Sequence, residues 1–390
     1  MKNILFTALA SASLLVSPAW SASLQFLVGD QDADKVLFAA DLNDDGDTND
    51  PGEVTSFFDE TNASGLTAPA GNVFAIAQTA DGAVFLGEGD TDTVYRVKDL
   101  NGNNNANDAD EAAVWFSAAN AGGFALNTPN GVAVGPDGAI YIVDADTGGN
   151  PTGDVVYRTV DLNGDGDAND AGEAEIWFDI NSFVPGIAPF EIHFDGEVGY
   201  IAVTGANPQI IRVEDTDGDG TIQADEASSY VSGPAAPFTF GFDVDDNGDI
   251  FAVDLIFDQI FRHTDISGDG VIDPGTETSL VADIFAAGGG ATFTLDEMMG
   301  EILVTSNGFN VSPEEDAIFR LIDLNGDGDF LDPGETVTVL RLADQGMFPI
   351  RPRSVAFYDS VLTAVPLPAG GVLLISGLFG LGWLARRRQA

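Results

Sequence analysis

The feature that most constrains this chain is a short acidic pattern that it carries six times. The clearest copy reads Asp161-Leu162-Asn163-Gly164-Asp165-Gly166-Asp167 and closes at Glu173; the others begin at Asp41, Asp99, Asp215, Asp265 and Asp323. Each copy follows a short apolar run and precedes another, so the fold must present one kind of hairpin loop again and again. Successive copies start roughly 50–60 residues apart, the self-similarity of a chain built from repeated structural units.

Aligning the chain on these loops exposes the rest of the unit. The run before each loop reads Lys35–Phe38, Thr93–Arg96, Val155–Arg158, Gln209–Arg212, Gln259–Arg262 and Ala317–Arg320. Before that lies a second run: Phe26–Gly29, Val84–Gly87, Ile140–Val143, Tyr200–Val203, Ile250–Val253 and Ile302–Thr305. A third follows the loop, as in Ala112–Phe116, Glu175–Phe178 and Val337–Leu340, and a fourth leads the unit, as in Gly131–Val134 and Gly241–Val244. The runs are short, β-branched and aromatic, and Gly, Asp, Asn and Pro punctuate them, which predicts strands. Four antiparallel strands per unit in six units predict an all-β, six-bladed β-propeller. Ser354–Phe357 matches a leading strand and residues 23–30 match a second strand, so one C-terminal strand is expected to join three N-terminal strands in a closing blade. A parallel β-solenoid could also display six loops, but this repeat is long for one.

The balance of charge narrows the partners. Across 390 residues there are 14 Lys+Arg against 63 Asp+Glu, a net formal charge of −49. Four of the basic residues, Lys2 and Arg386 to Arg388, sit in terminal segments without acids, so the middle is more acidic still. Such a surface repels nucleic acid and anionic membranes and attracts divalent cations. At 44% hydrophobic the chain can nevertheless build a substantial core. It has no cysteine, which excludes disulfides, thiolate metal sites and a Cys nucleophile.

Both ends read as addresses. In residues 1–22, Lys2 precedes an apolar stretch from Ile4 to Val16, and Ala19 and Ser21 offer small residues for cleavage before Ala22, as in a secretory signal. Residues 365–390 begin Val365-Pro366-Leu367-Pro368-Ala369, continue through an apolar stretch from Gly370 to Ala385 that is a little short for a transmembrane helix, and end on Arg386-Arg387-Arg388. This order resembles the PEP-CTERM class of bacterial sorting signals. The resemblance implies recognition by an exosortase-type membrane protease and display at, or release from, the surface of a Gram-negative bacterium. A plain C-terminal membrane anchor is the simpler alternative. Residues 23–364 are then the mature propeller, expected to be monomeric.

Calcium takes six to eight hard oxygens, and a loop with acids at its first, third and fifth places and a glycine at the sixth supplies them from one segment. The fourth copy fits best, with Asp215, Asp217 and Asp219 in those places, Gly220 at the turn, Thr221 offering its carbonyl and Glu226 in twelfth place. The first, third and sixth copies form a second class: Asp41, Asn43, Asp45, Asp47 and Glu53; Asp161, Asn163, Asp165, Asp167 and Glu173; Asp323, Asn325, Asp327, Asp329 and Glu335. Here the Glu stands in thirteenth place and an extra Asp in tenth (Asp50, Asp170, Asp332), so either residue can close the loop. The fifth copy has Asp265, Ser267, Asp269 and Asp273. The second is the weakest, with Asp99, Asn101 and Asn103, and Asn104 where glycine is wanted; Asn tolerates a left-handed backbone. Strands rather than helices flank the loops, so they resemble extracellular calcium loops more than EF-hands. The plainer reading, Asx-rich turns, suits one such loop better than six that each end in Glu.

Arg96, Arg158, Arg212, Arg262 and Arg320 each lie three residues before a loop, which suggests ion pairs that offset the acidic loop within the same blade rather than a ring for an anionic ligand. The stretch Gly131-Val-Ala-Val-Gly-Pro-Asp-Gly-Ala-Ile-Tyr-Ile-Val-Asp144 resembles the blade signature of gluconolactonase and NHL-type propellers. That likeness implies a scaffold, on which unrelated functions are found. It also aligns Asn130 with a metal-binding asparagine of the gluconolactonase-like family, but the expected partners of that residue are missing here. At the starts of the leading strands Phe74, Asn130, Phe240 and Arg353 suggest a plugged axis. Glu191, His193 and Asp243 are polar exceptions inside leading strands, and His193 and Asp243 are placed to meet. No nucleophile elbow, P-loop or zinc-protease motif is present. The expectation is a calcium-binding surface module with a structural or adhesive role, able to bridge to acidic polysaccharide, with no catalytic residues assigned. The alternative is a calcium-dependent propeller hydrolase, phytase-like or lactonase-like.

Overall fold

The computed structural model describes residues 24–67, 71–145, 153–205, 207–233, 238–308, 315–345 and 351–359. The proposed signal and sorting segments, 1–22 and 365–390, lie outside the described residues. Among the described residues no helix is long and apolar enough to cross a membrane; a short 3₁₀ turn stands at Ile180–Ser182.

Twenty-four strands form six four-stranded antiparallel sheets. The second blade holds β4 (Val73–Gln78), β5 (Val84–Glu88), β6 (Thr93–Val97) and β7 (Ala112–Ser117). The third holds β8 (Pro129–Val134), β9 (Ile140–Asp144), β10 (Val155–Thr159) and β11 (Ala174–Asp179). The fourth holds β12 (Ile187–Asp195), β13 (Val198–Gly205), β14 (Gln209–Val213) and β15 (Ala227–Val231). The fifth holds β16 (Phe242–Val244), β17 (Ile250–Asp254), β18 (Gln259–His263) and β19 (Thr278–Asp283). The sixth holds β20 (Leu295–Met298), β21 (Glu301–Ser306), β22 (Ala317–Ile322) and β23 (Thr336–Arg341). The first blade is composite: β24 (Pro352–Phe357) pairs with β1 (Gln25–Asp30), followed by β2 (Lys35–Ala40) and β3 (Val54–Asp59). Strands from the two ends of the chain thus share one sheet, as the repeat alignment predicts.

The first strands of the blades are neighbours all the way round, β24 against β4, then β8, β12, β16, β20 and back to β24. This is a closed six-bladed β-propeller. Closure leaves no interior sheet face exposed, which explains why the strands read as continuous apolar runs rather than alternating ones. The second strands β5, β9 and β17 are buried at every position. Six apolar clusters fill the six junctions between blades; the one between blades three and four packs Tyr141, Trp177 and Phe178 against Ile192, Ile201, Ile211 and Ile222. Aromatic pairs such as Tyr141–Trp177, edge-on at 4.9 Å between centroids, add directional contacts to this burial.

Each outermost strand carries a β-bulge at one repeated point. Between Val94 and Tyr95 the partner register jumps from Phe116 to Val114 and skips Trp115; Phe57, Trp177, Tyr230, Val281 and Val339 are skipped in the same way in the other five blades. A bulged residue leaves the ladder of its own sheet, so its carbonyl is free to face the next blade.

Candidate metal centres and the propeller axis

All six acidic loops connect the third strand of a blade to the fourth, so they ring one end of the propeller. Their backbone path is shared. The fourth and sixth places have left-handed φ in every copy, from Asp44 at 61° and Gly46 at 99° to Gly326 at 79° and Gly328 at 91°. Asn104 occupies the sixth place at φ 62°, so the second loop keeps the turn without glycine. The first-place Asp accepts the amide proton of the sixth residue at 2.8–2.9 Å in all six loops, with Asp41, Asp99, Asp161, Asp215, Asp265 and Asp323 as acceptors.

In the longer loops the amides of the turn converge on the Glu in thirteenth place. Glu53, Glu173 and Glu335 each accept one amide from the loop's second residue and one from the tenth-place Asp, at 2.9–3.2 Å. Glu226 does the same one place earlier, accepting from Thr216 at 2.7 Å and Gln223 at 3.0 Å. The extra residue is absorbed before the Glu, which stays in the closing position. The tenth-place Asp turns inward too, accepting from the third-place Asn: Asn43 to Asp50 at 2.5 Å, Asn163 to Asp170 at 2.6 Å and Asn325 to Asp332 at 2.6 Å.

In two loops the Glu doing this was not singled out among the sequence candidates. In the fifth, Glu277 accepts the amides of Ser267 and Asp273 at 2.7 and 2.8 Å, so Glu277 rather than Asp273 closes the loop. In the second, Glu111 closes the loop over Leu100 and Asp108. The signal was available, since both stand in thirteenth place like Glu53. In two loops carboxylate oxygens from three residues already lie within 4.8 Å of one another, a set able to hold a cation: Asp215, Asp217 and Glu226, and Asp327, Asp329 and Glu335. The remaining candidates, among them Asp45, Asp47, Asn101, Asn103, Asp165, Asp167, Asp219, Thr221 and Asp269, lie on the same turns, where their side chains or amides join local Asx-type hydrogen bonds.

The loops also grip their neighbours. The eighth residue of each is buried and donates its amide to the bulge carbonyl of the preceding blade: Ala106 to Phe57, Ala168 to Trp115, Ile222 to Trp177, Ile272 to Tyr230, Phe330 to Val281 and, across the closure, Thr48 to Val339, all at 2.7–2.8 Å. The path of each loop therefore bears on a blade junction.

Four of the five arginines before the loops form ion pairs within their own blades, but with acids outside the loops rather than with the loop acids. Arg158 meets Asp137 at 2.6 Å and Glu175 at 3.1 Å, Arg320 meets Glu301 at 2.6 Å, Arg212 meets Glu214 at 2.6 Å, and Arg262 pairs with Asp249. Glu175 and Glu301 come from neighbouring strands, Asp137 and Asp249 from turns between first and second strands, and Glu214 from the residue that follows β14, which leaves the loop carboxylates to each other.

Along the axis, the end where the first strands begin is closed by rings. The Arg353 guanidinium lies 4.3 Å from the Phe293 ring centroid, 4.7 Å from Phe74 and 5.3 Å from Phe240, and Phe190 stacks against Phe240 at 4.1 Å. Arg353 is 6% exposed and its Nη1 has no hydrogen-bond partner. Burial pulls its pKa down to about 9 against the attraction of Glu191. Asn130 donates to the Pro189 carbonyl and serves as a tie between blades. Deeper in, His193 Nδ1 meets Asp243 Oδ1 at 2.8 Å, as the sequence alignment of the two positions suggests. The other Asp243 oxygen accepts the Glu297 amide at 2.8 Å. Burial alone would lower the His193 pKa, but Asp243, with Glu191 and Asp296 nearby, outweighs it and holds the imidazole at about 9. Burial pushes Glu191 up to about 8 and Asp296 well above the ordinary carboxylate range. Asp296 was not foreseen, because its short first strand gave no repeat signal. The other histidine, His263, is fully buried, bonds Thr278 and is structural.

The architecture and its rim loops define this chain as a six-bladed β-propeller with an acidic loop repeated in every blade. Among solved structures it resembles a chain of a nidogen/laminin complex, with a TM-score of 0.57, 14% identity and coverage of 86% of this chain and 98% of that one. It is also similar to a gluconolactonase from Xanthomonas campestris (TM-score 0.47, 17% identity, 73% and 84% covered) and to virginiamycin B lyase from Staphylococcus aureus (0.45, 16%, 77% and 84%). No protein-family model and no curated protein matches the chain. At these identities the likeness concerns the fold.

Proposed function

We propose that this protein is an exported calcium-binding propeller that serves as a structural or adhesive module at the surface of a Gram-negative bacterium. The observation that carries the reading is the coupling of each acidic loop to the preceding blade through its eighth residue. A cation that gathers the carboxylates of Asp215, Asp217 and Glu226 fixes the turn that presents Ile222 to Trp177, and the same holds round the ring. Calcium thereby stabilises the native state by mass action and offsets the self-repulsion of a surface at −49. Filled loops can share their cation with acidic polysaccharide. The ends fit this location, with residues 1–22 as export signal and residues 365–390 as a PEP-CTERM-like tail for an exosortase-type protease.

The test is a thermal melt of the protein in excess chelator and then in millimolar calcium, with bound ions counted by calorimetry. A rise in melting temperature with several ions bound per chain supports the reading; an unchanged melt refutes it. A second reading, a calcium-dependent hydrolase, draws on the His193–Asp243 pair near the axis. Hydrolysis of phytate or of a sugar lactone that disappears in His193→Asn would favour it over the structural role.

A further inference from the structure

We propose that the axial cavity on the loop-bearing end binds a small organic cation, an amine carried on a short aliphatic body. The cavity holds about 340 Å³ and opens where the first strands end. Its two walls differ in kind. One is aliphatic, built from Ile76 of β4 and Val132 and Val134 of β8. The other is charged, built from His193 of β12 and Asp296 and Glu297 of β20, with Asp243 of β16 behind His193. A cavity with an apolar wall and a few convergent polar groups is the usual form of a small-molecule site.

The charged wall is not internally balanced. His193 is committed to Asp243 through Nδ1, and Asp243 uses its second oxygen on the Glu297 amide. Asp296 spends Oδ2 on the Phe357 amide at 2.7 Å, and Glu297 spends Oε1 on the Gly300 amide at 2.6 Å. The remaining oxygen of each accepts no hydrogen bond from the described residues. Asp243, Asp296, Glu297 and, 3.9 Å from Nε2, Glu191 thus surround one imidazole, and the next cation inward, Arg353, is held among phenylalanines. A protonated amine donates to both free oxygens and supplies the counter-charge that favours the ionised form of Asp296, which burial alone disfavours, and its methylenes lie on the Ile76–Val132 side. An anion or a neutral body of the same size gains only half of this.

The test is calorimetric titration of the full protein in saturating calcium with 1,5-diaminopentane, at about 0.15 M salt, where long-range attraction to the acidic surface is screened. One saturable site per chain is expected. The variant Asp296→Asn/Glu297→Gln should bind at least tenfold more weakly, and 1-pentanol should not bind. Ala133→Leu, which adds bulk at a cavity-lining residue of β8 and leaves every carboxylate in place, should also weaken binding at least tenfold and keeps the test open if the first variant misfolds. Equal affinity in either folded variant overturns the proposal. So does equal binding of 1-pentanol, or titration of the diamine to many weak sites alone. The result is independent of the rim loops, whose calcium reading is decided by the melt.

Discussion

Replacing Glu335 by Gln should separate what a closing carboxylate does for the protein alone from what it does for calcium. Glu335 is 1% exposed, and its two oxygens accept the amides of Leu324 and Asp332 at 3.0 and 3.2 Å. Gln keeps the shape and one carbonyl acceptor but removes the charge and one acceptor oxygen. Without metal, loss of one charge-assisted bond should cost about 1–2 kcal/mol. With metal the cost should grow. Extracellular loops of this type bind with dissociation constants on the order of 10⁻⁴–10⁻³ M. At about 10 mM calcium each filled loop then adds about 1.4–2.7 kcal/mol by mass action, and a loop without its bidentate carboxylate forfeits most of that. The gap between native protein and Glu335→Gln should therefore roughly double between chelator and calcium, read from paired denaturant or thermal melts. A gap of equal size in both conditions would mean that Glu335 only ties the loop to itself, and would refute the metal reading for the sixth loop.

Three further outcomes follow from the geometry. Gly220→Ala places a side chain at φ 91° and should destabilise by about 1–2 kcal/mol, with a weaker calcium response in the same melts. Ala168→Pro removes the amide that meets the Trp115 carbonyl at 2.8 Å; it should lower the melting temperature and deprotect the third-blade junction in hydrogen exchange, and intact protection there would deny the clasp its role. His193 has a folded pKa near 9 against an ordinary 6.5, so its stabilising share is complete below about pH 6.5 and is lost as pH rises through about 9, a fall of roughly 3 kcal/mol. Stability of the native protein should decline over that window, and His193→Asn should flatten the decline.

The fold was legible because the repeat marks itself. Loops of fixed chemistry set the phase, and apolar runs at constant offsets gave strand order, blade number and even the shared closing blade formed by Ser354–Phe357 with residues 23–30. The turn in the second loop was legible too, since only the left-handed tolerance of Asn104 was needed. What the sequence hid were relations across blades. Nothing local distinguishes Trp115 as a bulged residue or Ala168 as the amide that meets it, because the pairing is made by backbone groups that every residue possesses. The closing roles of Glu111 and Glu277 were missed in weighing individual loops, although their thirteenth-place position matched Glu53. At the axis, Phe74 and Phe240 already indicated the plug, and Glu191, His193 and Asp243 the charge column. Phe190, Phe293 and Asp296 entered only with the register of their strands. The arginine pairs show the limit of adjacency in sequence: Arg320 stands beside Asp323 in the chain, yet Glu301 on the neighbouring strand meets it in space.

The clasp between a loop's eighth amide and the neighbour's bulge carbonyl also bears on how such a chain can grow. Thr48, Ala106, Ala168, Ile222, Ile272 and Phe330 differ widely in size, yet all six make the same bond. A junction written in main-chain atoms is satisfied by any blade that follows any other. Duplicating or deleting one unit of the gene would preserve every clasp, leaving only the apolar contacts between blades to be refitted, so blade number is free to change by whole units.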